Sequence, residues 1–333
     1  MIVRTRSRGW LAASGLLLAA LLTGCAAGGP VNLPIISAAN PPLPVGVVQG
    51  KAAVPSTAPA PDCTNPTASL APPSSMPPPG QMQPGSTMAK IAARGHLVVG
   101  VDQNTYLFGY RDPQTNAIEG FDIDMAHYVA QAIFGDPNAV EFKAITSAQR
   151  VPELQSGQVD MVVRTMTISC DRLSQVAFST VSYDASQRLL VPSTSNVTDI
   201  SQLGGQKICA ASGSDSLGHI AAVSTHPIPV AVGDWSDCLV MLQQGEVAGV
   251  STDDTILAGM VAQDPNTKIV GPSIADEPYG LAMPKGEDDF VAFVNGVLDN
   301  VRGNGQWTQS YDHWIDGRIA GGSDQPPAPQ YSN

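Results

Sequence analysis

Residues 144–192 read AITSAQRVPELQSGQVDMVVRTMTISCDRLSQVAFSTVSYDASQRLLVP. Val151 and Leu154 lie one helical step apart, and Ser156-Gly157 ends that turn. From Val159 to Met166 most residues are β-branched or apolar, which predicts a short, largely buried strand. The strand breaks into Thr165-Met166-Thr167-Ile168-Ser169-Cys170-Asp171-Arg172. Hydroxyls, backbone amides and one guanidinium just past a strand end suit a carboxylate, since a planar fork can meet two oxygens while neutral donors assist. Taken alone, Arg172 reads more readily as a helix-surface residue.

Outward from this stretch, strands and helices alternate. His96–Val101 is a buried strand, with Asp102-Gln-Asn-Thr as the loop off its end. Gly120-Phe-Asp-Ile-Asp-Met-Ala opens a helix whose Phe121, Met125, Tyr128, Val129 and Ala132 share one face. Asp122 and Asp124 suit the positive end of that helix and read as caps and scaffold contacts. Val140–Ile145 is a further strand. Beyond Pro192 the alternation restarts with strands Lys207–Ala211, Ile228–Val232 and Val247–Ser251 and helices from Ser212-Gly-Ser-Asp-Ser, Asp234–Gln243 and Asp253–Met260. Helices near Phe290–Val301 and Gly305–Trp314 follow. Such alternation predicts α/β lobes with mainly parallel sheets.

The N-terminal part is different. Arg4, Arg6 and Arg8 precede an apolar run from Trp10 to Leu22, too short for a comfortable membrane span and laid out like a signal peptide. It ends Leu22-Thr23-Gly24-Cys25, which resembles a bacterial lipobox, so Cys25 is expected to carry lipid once residues 1–24 are removed. Losing three arginines and no acid takes the formal charge from −12 to −15. Residues 26–86 hold 15 of the 28 prolines and no hydrophobic periodicity, which predicts a semi-extended tether over 25–86. At roughly 3 Å per residue it would reach on the order of 100 Å. Cys63 is the residue that a plain linker does not explain.

The acidic balance argues against nucleic acid as a partner. Four cysteines besides Cys25, in an oxidising compartment, allow three pairings. No C-x-x-C or H-x-x-H spacing occurs, so neither a metal nor a cofactor is expected. P-loop, G-x-S-x-G and H-E-x-x-H patterns are also missing from the sequence.

The run R-V-P-x-L-x-S-G-x-V-D, a β-branched strand, T-x-T-I-S-x-x-R and F-S-x-x-Y resembles the signature of bacterial extracellular solute-binding proteins of family 3, the polar amino-acid binders. Arg150, Pro152, Leu154, Gly157, Asp160, Thr165, Thr167, Arg172, Phe178, Ser179 and Tyr183 stand in register with it. G-F-D-I-D-M-A and Glu277-Pro-Tyr-Gly-Leu-Ala are similar to two further motifs of the family, and the likeness runs over about 88–318. It implies a two-lobed α/β fold of the periplasmic-binding-protein type, two open sheets joined by a two-strand hinge. Lobe 1 would be 88–184 plus 280–320, lobe 2 188–274, the hinge 183–188 and 276–280, and 321–333 a flexible tail.

The resemblance also implies roles. Arg172 and Thr167 would hold a ligand's α-carboxylate, with the turn Ser212, Gly213, Ser214 and Asp215 offering amides from lobe 2. Asp253 would accept the α-ammonium, assisted by the Thr165 carbonyl. Arg150 stands where acidic amino-acid binders of the family contact the ligand's side-chain carboxylate. Asp102 stands where those binders often carry a second Lys or Arg, so an Asp102 beside Arg150 would admit asparagine and glutamine alongside glutamate and aspartate. Arg164 is read as either a ligand contact or a partner of Asp160 or Glu153. Some relatives carry a bridge similar to Cys209–Cys238 in lobe 2, which would leave Cys63 with Cys170. The implied protein is a lipid-anchored monomer outside the cell membrane that hands an amino acid to an ABC permease, or alternatively presents it to a membrane sensor. Dehydratases and lytic transglycosylases share the fold, but no general acid is placed for the first and no further catalytic domain appears for the second. An enzyme is therefore not expected.

Overall fold

The computed structural model describes residues 42–54, 63–319 and 322–332. The expected signal segment and Cys25 lie outside the described residues, and no helix among those described is long and apolar enough to cross a membrane.

Two sheets carry the two lobes. In lobe 1 the strand order is Val140–Ala144, Leu97–Val101, Met161–Val162, Ala282–Met283, Ala177–Phe178. The first three run parallel and the last two complete the sheet antiparallel. In lobe 2 Ile228–Val232, Lys207–Ala211 and Gly249–Asp253 form the parallel trio, and Tyr183–Pro192 and Thr267–Tyr279 extend it antiparallel. The mainly parallel arrangement is thus found at the heart of each sheet, and the antiparallel margins come largely from chain returning between the lobes. Leu97, Val99 and Val101 are fully buried in one core and Ile208, Val230 and Val250 in the other, as expected of strands covered on both faces.

Those two returning strands are the hinge. They pair from Tyr183↔Tyr279 to Pro192↔Thr267, with a register irregularity between Gln187 and Leu189. Their lobe 1 ends are fixed by aromatic packing: Tyr183 meets Phe108 edge-on with centroids 5.3 Å apart, and Trp307 donates to the Ser182 carbonyl at 2.8 Å. The hinge strands therefore run from an aromatic anchor in lobe 1 into the lobe 2 sheet.

The tether differs from the expectation. Val48–Gln49 adds an antiparallel strand to the free edge of the lobe 2 sheet, opposite Ala231 and Val230, and Ala53 enters that lobe's core. Ser69–Leu70 docks on lobe 1, where Asn295 donates to Ser69 Oγ at 2.8 Å and to the Leu70 carbonyl at 2.7 Å. Tyr331–Ser332 pairs with that strand, and the Tyr331 hydroxyl bonds the Asp299 carboxylate at 2.6 Å, so this part of the tail is docked rather than loose. Open sheet edges satisfy their N–H and C=O groups by taking up extended chain, which a proline-rich segment without periodicity still supplies. The structure pairs Cys209 with Cys238, joining strand and helix within lobe 2, and Cys63 with Cys170, fixing the N-terminal segment beside the loop before Arg172.

Candidate functional site

The C-terminal ends of the parallel strands in the two sheets face each other, the place where open α/β sheets bind ligands. Arg150, Thr165, Thr167 and Arg172 come from lobe 1; Ser214, Asp215, Ser216, Trp235 and Asp253 from lobe 2; and Glu277 from the hinge. They enclose a cavity of ≈ 10 Å³, about the size of one water and too small for an amino acid as it stands. A neighbouring cavity of ≈ 330 Å³ shares Thr167, Ser214, Asp215 and Glu277 and forms its mouth.

Arg172 is the third residue of the short helix Cys170–Leu173 and is buried, donating to the Thr167 carbonyl at 2.8 Å. Across the cleft it pairs with Asp215 at 3.0 Å and donates to the Gly213 carbonyl at 3.3 Å. Gly213 is required there: its φ is +79°, and a Cβ would come within 2.6 Å of Ala148 Cα on the opposite lobe. The turn presents fewer amides than expected, because Ser212 N donates to Val232 O at 2.8 Å and Ser214 N to Ala211 O at 3.2 Å. Ser212 is not brought into the cavity, whereas Ser216 is.

Arg150 also spans the cleft. Its guanidinium donates to the carbonyls of Ser147 (3.0 Å), Arg164 (3.2 Å) and Thr165 (3.1 Å) on lobe 1 and Gly213 (3.1 Å) on lobe 2. Four of its five N–H groups are thereby used. Burial, together with the charges of Arg172 and Arg164, pushes its pKa well down, so an anion in the cavity would be strongly favoured. Asp102 does not neutralise it, contrary to the expectation. Asp102 caps its own loop, accepting from Gln103 N at 2.7 Å and Thr105 Oγ1 at 2.6 Å, and pairs with Arg164 at 2.9 Å. Arg164 is correspondingly absent from the cavity wall and is not the partner of Asp160 or Glu153, which bind Arg94 and Lys143. Both members of the Asp102–Arg164 pair are buried behind the cavity, and an ionised side chain so placed needs its opposite charge.

Thr165 has φ +37°, in the left-handed region that a β-branched residue avoids. Two contacts hold it there: its N–H donates to Asp122 at 2.7 Å, and its carbonyl accepts from Arg150. The scaffold role read for Asp122 is thus concrete, since it sets the strand-end turn that aims Thr165 and Thr167. Asp124 likewise accepts from Ser310 at 2.6 Å and Trp314 at 2.9 Å. Asp253 ends its strand buried in the cavity wall and accepts from the Tyr279 hydroxyl at 2.6 Å. Burial first, and the Glu277 charge second, raise its pKa well above the usual carboxylate range, so a cation beside it would be stabilising. Its neighbour Asp254 faces away, accepting from Ser186 Oγ at 3.0 Å and Thr255 N at 2.9 Å.

Sequence reasoning missed Glu277, His219, Gln187 and Trp235. Glu277 accepts from Thr167 Oγ1 at 2.5 Å, and His219 Nδ1 lies 2.6 Å from Gln187 Oε1. Period-two spacing of Glu277 and Tyr279, which puts both side chains on one face of the hinge strand, was the available signal. No group of three or more metal-ligating side chains occurs among the described residues.

The arrangement is two guanidiniums from lobe 1 facing one small cavity with the carboxylates of Asp215 and Asp253 from lobe 2 and Glu277 from the hinge, which fits a zwitterion. Comparison with known proteins agrees. Residues 97–317 match the sequence profile of bacterial extracellular solute-binding proteins, family 3. A glutamine-binding protein of an ABC transporter from Bacillus subtilis is 36% identical over 230 residues, 69% of this chain and 84% of that protein. A glutamate/aspartate import solute-binding protein from Salmonella typhimurium is 26% identical over 247 residues, 69% of this chain and 80% of that protein. Among solved structures, a cysteine-binding protein from Campylobacter jejuni shares the fold with a TM-score of 0.66 at 22% identity, covering 71% of this chain and 95% of that one.

Proposed function

The chain belongs to the bacterial extracellular solute-binding proteins of family 3, and we propose that it is a receptor for a polar L-amino acid of the glutamine, glutamate, asparagine and aspartate group, which it delivers to an ABC permease. Names of its relatives support the ligand group and the transporter. The observation that carries the reading is the placement of Arg172 and Asp253 on opposite walls of one interlobe cavity. Arg172 would take the α-carboxylate, assisted by Thr167, and Asp253 the α-ammonium, so one zwitterion ties the lobes together. Arg150, desolvated and with one N–H group left over, would face the side chain. Cys25 would anchor the receptor to the outer face of the membrane, and the protein would act as a monomer without turning its ligand over. The test is calorimetric titration of residues 42–333 with each protein amino acid, followed by recovery of the ligand. Binding near micromolar, about −8 kcal/mol, by members of this group with the ligand recovered unchanged is expected. Heat from none of the four, or conversion of the ligand, would overturn the proposal.

A further inference from the structure

Glu277 has no part in the ligand scheme so far, yet it is 1% exposed and lines the enclosed cavity. Its Oε2 takes the Thr167 hydroxyl, while Oε1 has no hydrogen-bond partner. His219 Nδ1 is 3.2 Å from that oxygen, but the shorter contact to Gln187 Oε1 takes the ring N–H. Counting the ionisable groups of the wall gives Arg150 and Arg172 against Asp215, Asp253 and Glu277. Behind them Arg164 and Asp102 cancel. Asp171, Asp276 and the half-buried His219 face Glu277 from the wider mouth, and no lysine or arginine does.

We propose that Glu277 determines specificity: it leaves the cavity one carboxylate in excess, so an amino acid with a neutral amide side chain binds as it is, whereas glutamate or aspartate binds with uptake of one proton by the Glu277–His219 pair. This rests on the amino-acid reading above. A glutamine zwitterion adds no net charge to the closed site. Glutamate pairs its second carboxylate with Arg150 but brings a further negative charge into a space that excludes water. A surplus buried charge of that kind is removed by protonation rather than tolerated. His219 is placed to hold the proton because it touches both Glu277 and the solvent-facing mouth. Its pKa is raised, chiefly by the contact with the Glu277 carboxylate, and that of Asp253 is raised by burial and then by the same carboxylate, so the cluster already favours an added proton.

The experiment is calorimetry of residues 42–333 with L-glutamine and L-glutamate from pH 6 to 9, in two buffers of different ionisation enthalpy at each pH, so that protons taken up are counted directly. Expected are no net uptake with glutamine and close to one proton with glutamate at the alkaline end, where glutamate affinity falls about tenfold per pH unit. Glu277→Gln keeps an acceptor for Thr167 and removes the excess charge. It should abolish the slope for glutamate and raise its affinity at pH 8 at least about tenfold relative to that for glutamine. His219→Gln should lower both the proton uptake with glutamate and the glutamate affinity at pH 8, and unchanged uptake in this variant would count against His219 as part of the acceptor. Glutamate binding without proton uptake, alongside normal glutamine binding, overturns this inference and leaves the receptor reading intact. Failure of the unaltered protein to bind either ligand overturns both.

Discussion

Replacing Arg172 by alanine removes a guanidinium that is 6% exposed and touches both lobes, through the Thr167 carbonyl at 2.8 Å on one side and Asp215 at 3.0 Å on the other. With ligand present the same group would meet the α-carboxylate, which every α-amino acid carries. Truncating one partner of a buried, hydrogen-bonded charge pair costs about 2–5 kcal/mol. At 1.4 kcal/mol per decade, affinity should fall roughly 30- to several-thousand-fold, for acids and amides alike. The fold should survive, because Asp215 is 31% exposed and rehydrates once its partner is gone. Arg172→Lys keeps the charge but loses the planar fork, so it should fall between the two. Titration calorimetry reads the affinities and a melting curve verifies the fold. Binding by a folded Arg172→Ala protein within threefold of the unaltered one would refute the assignment.

Three further outcomes follow from other residues. Arg150→Ala should weaken glutamate or aspartate at least about tenfold more than the matching amide, and should also lower the melting temperature because four carbonyls lose their donor; equal loss for acid and amide would show a purely structural role. Asp122 is held by burial at a pKa of about 7, so the folded protein keeps a proton there that the unfolded chain releases near pH 4, and stability should fall as pH rises between those values, by up to roughly 4 kcal/mol. Asp122→Asn should flatten that part of the profile in denaturant titrations from pH 4 to 8, and an unchanged slope would count against it. Joint replacement of Cys63 and Cys170 by serine opens a crosslink between residues 107 apart, worth about 4–5 kcal/mol in the loop-entropy picture, and should lower the denaturant midpoint without abolishing amino-acid binding.

Much of the site was legible because it hangs on short spacings. Thr165, Thr167 and Arg172 fall within eight residues at one strand end, and Arg150 lies one short helix upstream, so local structure alone places all four together. Asp253 was reached through the family resemblance, having been read as the start of a helix after a strand ending at Ser251, whereas it is the last residue of that strand. The failures share a cause: each depended on a partner distant in sequence. Asp102 meets Arg164, 62 residues on, and nothing local to either says so. Glu277 reaches Thr167 only because the hinge strand recrosses between the lobes. Val48–Gln49 is too short for any periodicity, and its strand conformation comes from the open edge at Ile228–Val232 that it covers. Val48–Gln49 is extended, and an extended segment is as compatible with docking as with a free tether.

The central claim is that a single zwitterion is gripped at its two charged ends from opposite lobes. It is tested most directly by titrating the unaltered protein, residues 42–333, with L-glutamine, its N-acetyl derivative and its α-carboxamide, each measured by calorimetry under one set of conditions. Binding near micromolar is expected for the free amino acid and a loss of at least about a hundredfold for each derivative, since one leaves Asp253 and the other Arg172 without its buried counter-charge. Retention of the parent affinity by either derivative would contradict it.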